Sequence, residues 1–485
     1  MTTISAGGRP ATLHILFTAA CTVLAALSMT SNAVADALPL TLDEAQELAV
    51  ENSDALAMAR AGAEAARARL AQATAGFFPA IAASATYTRL DEAPYMDISA
   101  FGGVPGTIAA GPDYLSELAT QAPAAPDGRQ DGTSTRIYLG SENIYSIGLS
   151  ATQPIFTGGA LLSARGAAKH GARAGELSAR RAEQTLRYNV TQAYVGLVQA
   201  RAALAVMNDM EAQMRQHLAD AEAMYEQGML LESDLLSARV RMSQVELDQS
   251  RAEHLVKLAG AGLAFVIGID IDTEIEPVDG LDDPFPTVAD LGALTRRALE
   301  SRPDLLAARE MAGAADNAVS LARSDYFPKL AVVGNYNWDR PNRRYEPEFY
   351  SHWSWTLALQ MNVLDWGHTW NRVREARAGL DQAERSRDML EESVRLDVRR
   401  SQLALDEAVT AVVIAGSGLS QARESMRVVR EGFRNGTATN TDVLAAQTAL
   451  TSAEMNHITS LAQLKTAEAG LELATGMISK PEETR

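Results

Sequence analysis

Cysteine is nearly absent from this chain of 485 residues; the one present, Cys21, lies in an apolar run near the N-terminus. No disulfide framework is therefore available to the rest of the chain. The seven histidines form no HExxH and no paired ligand spacing, so no metal site is expected. There is no GxxxxGK[ST] loop, no GxGxxG and no GxSxG, and the expectation is no catalytic residue, no cofactor and no enzyme. Basic residues are also short, 43 Lys and Arg against 61 carboxylates for a net charge of -18. That balance argues against nucleic acid, which needs a basic surface, and suits a passage that favours cations.

Two further scarcities are positional. Beyond the N-terminal region there is no uninterrupted apolar run of the roughly 20 residues that a helix needs to cross a bilayer. Proline is missing between Pro39 and Pro79, between Pro154 and Pro277, and between Pro347 and Pro481. A proline inside a helix costs about 3 kcal/mol, and these spans are rich in Ala, Leu, Glu, Gln and Arg, so long helices are predicted over 41–75, 160–226 and 231–267. The middle one would extend roughly 100 Å, about the length of the other two placed end to end. Along 231–267, Leu231, Leu235, Ala238, Met242, Val245, Gln249, Ala252, Val256, Ala259, Leu263 and Val266 follow alternating steps of four and three, a coiled-coil track.

The N-terminus reads as an export signal over 1–35: Arg9, the apolar run 15–29 that holds Cys21, then Ala33, Val34 and Ala35 before Asp36. The remainder contains a duplication. At an offset of 249, "ENSDALAMAR" meets "ESRPDLLAAR", Phe78-Pro79 meets Phe327-Pro328, and Tyr87 meets Tyr336. At an offset of 208, "YEQGMLLESDLLSA" meets "FRNGTATNTDVLAA", Tyr145 meets Trp353, Gly159 meets Gly367, and Gly268 meets Gly476. The difference is a 41-residue insertion between Tyr87 and Tyr145. The predicted organisation is a first repeat over 36–268, an acidic linker with Pro277, Pro284 and Pro286 over 269–290, a second repeat over 291–476, and a tail over 477–485.

Tryptophan is scarce and concentrated, for Trp338, Trp353, Trp355, Trp366 and Trp370 are the whole set. Trp353, Trp355, Leu357, Leu359, Met361 and Val363 alternate with Ser354, Thr356, Ala358, Gln360 and Asn362, the period of a strand with one apolar face. The same alternation over 80–89, 145–156 and 329–338 gives four strands of about ten residues, the length a tilted strand needs in a bilayer. Small neutral residues form the other face, and Tyr87, Tyr145, Tyr336, Trp338, Trp353 and Trp355 stand where a membrane girdle would. A sheet in lipid must close, and four strands are too few, so the sheet would need sister chains. The alternative is a secreted or periplasmic coiled-coil tether with a soluble sheet.

The order of these features resembles the TolC-like outer membrane efflux protein family across nearly the whole of 40–476, carried by the duplication, "FFP" and "YFP" before strands one and three, "QPIFTGG" after strand two, and the two glycine turns. The resemblance implies a mainly α fold with a small β part. Long antiparallel helical hairpins would form a trimeric α-barrel in the periplasm, and four transmembrane strands per chain would join a shared 12-stranded β-barrel. It implies a homotrimeric duct in the outer membrane, in contact with its lipid, that meets a periplasmic adaptor and an inner membrane transporter of the RND or ABC type. The cargo would be drugs, metals or, as in type I secretion, polypeptides.

The resemblance also places the periplasmic entrance at the two turns. Gly228 and Gly436 match the family's turn glycines, Asp442 matches an acidic residue that narrows the entrance, and Asp234 is its repeat partner. Leu235 and Leu444 fall at the adaptor-docking turns. Both aspartates also sit where an acid caps a helix, a role compatible with the first. Ala445 and Ala438 replace an expected second aspartate and an arginine, so a gate built on those ion pairs is not expected here, and Tyr225 and Phe433 are predicted to narrow the opening by packing.

Overall fold

The computed structural model describes residues 37–97, 136–138, 141–281, 290–344 and 346–477. The expected export signal with Cys21, most of the insertion, part of the linker and nearly all of the tail lie outside these residues. The chain divides into two compact units, the first formed by Met1–Met58, Arg180–Arg302 and Ser393–Arg485, the second by Ala59–Ala179 and Pro303–Glu392. Each unit draws on both halves of the sequence.

The long helices occupy the proline-free spans. In chain order the helices are α1 (Leu42–Asn52), α2 (Asp54–Ala75), α3 (Ala160–Glu226), α4 (Glu232–Ile267), α5 (Leu291–Ser301), α6 (Pro303–Arg323), α7 (His368–Arg434) and α8 (Asn440–Thr475). The single helix expected over 41–75 is two. Ser53 is extended (φ -69, ψ 115), and its hydroxyl accepts from Leu56 N–H at 3.3 Å to start α2. The break recurs between α5 and α6 at Arg302 (φ -64, ψ 118), where Pro303 bars its predecessor from the helical region.

Within the first unit, β1 (Leu38–Leu40) pairs in parallel with β6 (Ile275–Pro277), which fastens the linker to the start of the chain. Tyr194, 2% exposed, joins both segments: its hydroxyl donates to the Leu40 carbonyl at 2.9 Å and accepts from Asp279 N–H at 3.1 Å. Burial is the main reason that this phenol is pushed up to about 12. Leu235, Ala238, Met242, Val245, Ala252 and Leu263 of the coiled-coil track are buried on α4. Leu231 departs from the track, being the N-cap and exposed.

One stretch corrects the expectation that no helix could cross a bilayer. Helix α7 is apolar enough around residues 408–418 to cross a bilayer, by length and composition alone. Leu405, Ala408 and Val412 share a buried cluster with Leu464 in the first unit, and the stretch is one part of a 67-residue helix.

The second unit contains an antiparallel sheet of β2 (Ala80–Arg89), β5 (Asn143–Phe156), β7 (Lys329–Arg340) and β8 (Tyr350–Gln360), hydrogen-bonded in that order. β8 ends at Gln360 rather than at 364, because its partner β7 starts at Lys329, opposite Gln360. Within the insertion, β3 (Tyr95–Asp97) pairs with β4 (Arg136–Tyr138). The junctions from sheet to helix repeat their backbone: Gly158 (φ 63) and Gly159 (φ 89) precede α3, and Trp366 (φ 53) and Gly367 (φ 84) precede α7. Cβ on Gly158 would meet the Ser324 carbonyl at 2.6 Å, so that position admits only glycine.

Candidate functional sites at the helical turns and on the sheet

Both turns close by one motif. The N–H of Met229 donates to Met224 O and that of Gly228 to Tyr225 O, both at 2.9 Å; Thr437 donates to Gly432 O at 2.8 Å and Gly436 to Phe433 O at 3.1 Å. These Schellman pairs satisfy the last carbonyls of α3 and α7, and Gly228 (φ 73) and Gly436 (φ 72) supply the left-handed residue.

Past the second turn, Thr439 and Asp442 form a capping box. Asp442 Oδ2 accepts from Thr439 N–H at 2.8 Å and Oγ1–H at 2.6 Å, and Thr439 Oγ1 accepts from Asp442 N–H at 3.2 Å. The bonds from Thr439 hold this exposed carboxyl below the usual carboxylate range. Asp234 lies in the first turn of α4, which has no side-chain cap. The structure brings Asp234 and the second turn together through its backbone: Asn440 Nδ2 donates to Asp234 O at 3.1 Å, and Asn440 Oδ1 pairs with His217 Nε2 at 2.7 Å. Asn440 is 4% exposed, so this bridge between hairpins is shielded from water.

The four packing residues named for the turns divide. Phe433 is 6% exposed, turned inward at one end of the buried cluster that holds Met426 and Val443, and lies 5.1 Å from the His217 ring. It therefore does not face an opening, whereas Tyr225 is 40% exposed. Leu235 is buried and Leu444 is half-buried against the cluster that includes Met210 and Met214, so both are turned inward more than outward. Met229, Leu231 and Leu236 are exposed there instead. The Asn440 bridge was missed by sequence reasoning, since nothing in pattern links it to a histidine 223 residues away.

On the sheet, register gathers the six girdle aromatics. Tyr87 lies opposite Tyr145; Leu149 lies opposite Ala83 and Tyr336, and Tyr336 opposite Trp353; Ile147 lies opposite Trp338. All these residues share one face, completed by Ile81, Leu357 and Leu359. That face is open: Trp353, Trp355, Leu357 and Leu359 are 68–70% exposed. Trp355 lies over Gly334, where Cβ would come within 2.7 Å of its ring, so the glycine makes room for the indole. The opposite face is polar, with Ser146 Oγ–H donating to Asp339 at 2.7 Å and Asn337 beside His352 at 3.4 Å.

The model of the outer membrane efflux protein family matches residues 119–269 and 294–477, both halves of the chain. The chain belongs to that family. Its members are channels of the outer membrane rather than enzymes, and the outer membrane is where this efflux protein resides. It is 24% identical over 340 residues to outer membrane protein TolC of Vibrio cholerae, an alignment that covers 67% of this chain and 76% of that protein. The fold is similar to that of the Campylobacter jejuni CmeC outer membrane channel, with TM-score 0.72 at 18% identity over 91% of this chain and 87% of that one. It is also similar to the open state of the Neisseria gonorrhoeae MtrE outer membrane channel, with TM-score 0.70 at 17% identity over 94% of this chain and 95% of that one.

Proposed function

We propose that three copies of this efflux protein assemble into a duct through the outer membrane, with a shared β-barrel of twelve strands and a helical barrel in the periplasm, each chain contributing its two sequence repeats. The observation that carries this reading is the sheet: one unbroken apolar face is exposed, and the outer edges of β2 and β8 are unpaired among the described residues. In hydrocarbon such edges leave backbone groups unpaired, and ring closure with sister chains removes them.

The helical turns form the periplasmic entrance and dock a periplasmic adaptor, which links the duct to an inner membrane transporter of the RND or ABC type. Drugs, metal ions or polypeptides pass through it. Exposed Met229, Leu231 and Leu236 offer an adaptor more surface than buried Leu235 or half-buried Leu444, which position the turns from within. Asp442 repeated about the threefold axis makes a ring of carboxylates, and the Thr439 hydrogen bonds favour their ionised form, so cations are admitted preferentially. With Ala438 and Ala445 unable to form ion pairs, the Asn440 bridge and Tyr225 hold and narrow the opening.

The test is fractionation followed by conductance. Full-length protein extracted from the outer membrane in detergent should run as a heat-modifiable oligomer three times the chain mass and open cation-selective channels in a planar bilayer. Recovery as a soluble monomer would end the proposal.

A further inference from the structure

We propose that the end of the sheet distant from the helices carries a binding site for a phosphate-bearing anionic lipid, built around Arg340. This inference rests on the reading of the apolar face as lipid-facing. The strands join the helices at one end and end in the 90–142 and 341–349 connections at the other, so the second end is the one that meets the outer leaflet.

Arg340 is the last residue of β7 and lies opposite Tyr145, which lies opposite Tyr87, in the outermost aromatic row of the apolar face. Its guanidinium stacks 5.6 Å from the Tyr145 ring and 5.8 Å from the Phe349 ring. One row further out on the same face, Arg89 is opposite Asn143. Arg343 lies 4.9 Å over Tyr350, which stacks on His352 on the opposite, polar face, so this arginine belongs to that side of the sheet. Among the described residues neither Arg340 nor Arg89 joins an ion pair. Cation–π stacking leaves the N–H edge of a guanidinium free and fixes its plane, so Arg340 is oriented without being neutralised. A cation just above a belt of Trp338, Tyr336 and Trp353 stands at headgroup depth.

The occupant follows from charge and place. A guanidinium fork suits a phosphate monoester or diester with two parallel hydrogen bonds. A soluble anion would lose the acyl chains that the adjoining apolar face is shaped to meet, so the ligand is a lipid whose phosphate sits on Arg340 and whose chains lie along Trp338 and Ile147. In a chain of net charge -18, Arg340 and Arg89, one row apart on the apolar face, supply the fixed cations that such a lipid requires.

The experiment places the full-length oligomer in phosphatidylcholine vesicles and measures quenching of its tryptophans by brominated lipids. Brominated lipid A with both phosphates is compared with brominated phosphatidylcholine, in the wild-type protein and in R340Q and R340K, with and without inorganic phosphate in solution. The wild-type protein should favour the bisphosphorylated lipid several-fold, roughly fivefold per arginine engaged. R340Q should lose most of that preference, R340K should keep part of it, and free phosphate should not compete. Equal quenching by both lipids, an unchanged preference in R340Q, or displacement by free phosphate would overturn the inference. Failure of any lipid to quench would instead refute the lipid-facing reading on which it stands.

Discussion

Trp366 offers a sharp test of whether this chain is complete by itself. It is the one non-glycine residue with positive φ among the described residues, and its side chain is 89% exposed. Its repeat counterpart is Gly158, whose φ of 63 is close to the 53 of Trp366. Holding a large side chain in that region costs about 1–2 kcal/mol. The turn itself is kept by Asp365, which accepts from Gly367 N–H at 3.0 Å and Thr369 N–H at 2.9 Å, bonds that do not involve the indole. On the isolated chain, Trp366→Gly would therefore relieve strain and lose little packing, and after the extra backbone entropy of glycine, about 0.5–1 kcal/mol, it should be neutral or stabilising. In the assembly the expectation reverses. A tryptophan side chain presents roughly 150–250 Å², worth about 4–6 kcal/mol if fully covered at ~25 cal/mol per Å². If half of the ring is covered by lipid or a sister chain, the net loss is about 1–2 kcal/mol per chain once strain relief is subtracted. The assay is the temperature at which the detergent-resistant oligomer of the full-length protein falls apart on an unheated-sample gel series. Trp366→Gly should lower it by several degrees, and an oligomer as durable as the wild type would refute the claim that this ring is retained for contact outside its own chain.

Four further outcomes are expected. Thr439→Ala should cost about 1 kcal/mol at the start of α8, seen as faster hydrogen exchange at the amides of Thr439 and Asp442. Because the Asp442 carboxyl is lowered in the folded state, its contribution is complete above the ordinary carboxylate pKa and is lost as pH falls through the depressed value; the protection factors of those amides, taken against the intrinsic exchange rate at each pH, should therefore be flat near neutrality and fall only in acid. Asp442→Ala should reduce cation selectivity in single-channel recordings, and an unchanged reversal potential would count against the acidic ring. Asn440→Ala removes both bonds of a buried bridge and should cost about 2–3 kcal/mol while raising the open probability of the channel, whereas a purely structural residue would change stability alone.

Much of the fold was legible because its signals are local. Proline gaps enclose the helix pairs α3–α4 and α7–α8, and side-chain alternation assigned the faces of the four strands β2, β5, β7 and β8 before any pairing was known. Gly228 and Gly436 announced left-handed turns by being glycines between helix formers. The break at Ser53 was less visible: Asn52, Ser53 and Asp54 are tolerable within a helix, and only Pro303, found by carrying the offset of 249 across, marks the corresponding break in the second half. The pairing of β1 with β6 spans three residues, too few for a period to register. At the turns, sequence placed the acids and glycines, but whether Phe433 faces an opening or a core depends on His217, which reaches it only through tertiary packing. The sequence showed which residues are apolar and not which apolar residues their own chain covers.

That distinction gives the proposed assembly an energetic argument in each unit separately. On α4, Leu235, Ala238, Met242, Val245 and Leu263 are buried within the chain, while Leu236, Val240, Leu247, Leu258 and Phe265 are 47–76% exposed. Turned through 100° per residue, the second group clusters in one stripe opposite the first. A helix with two apolar faces is suited to a position between two neighbours, and this chain supplies one. Fully covering a Leu, Val or Phe side chain is worth about 1.5–3 kcal/mol, so five such residues on one helix, even half covered, represent several kcal/mol per chain that a monomer forgoes. The sheet of the second unit has the same deficit on a wider surface and can satisfy it with lipid. The helical stripe lies on a unit of acidic, water-adapted helices, and only protein of like pattern fits it. A second copy supplies such a partner by symmetry, which is why the helical part, no less than the sheet, argues for the oligomer.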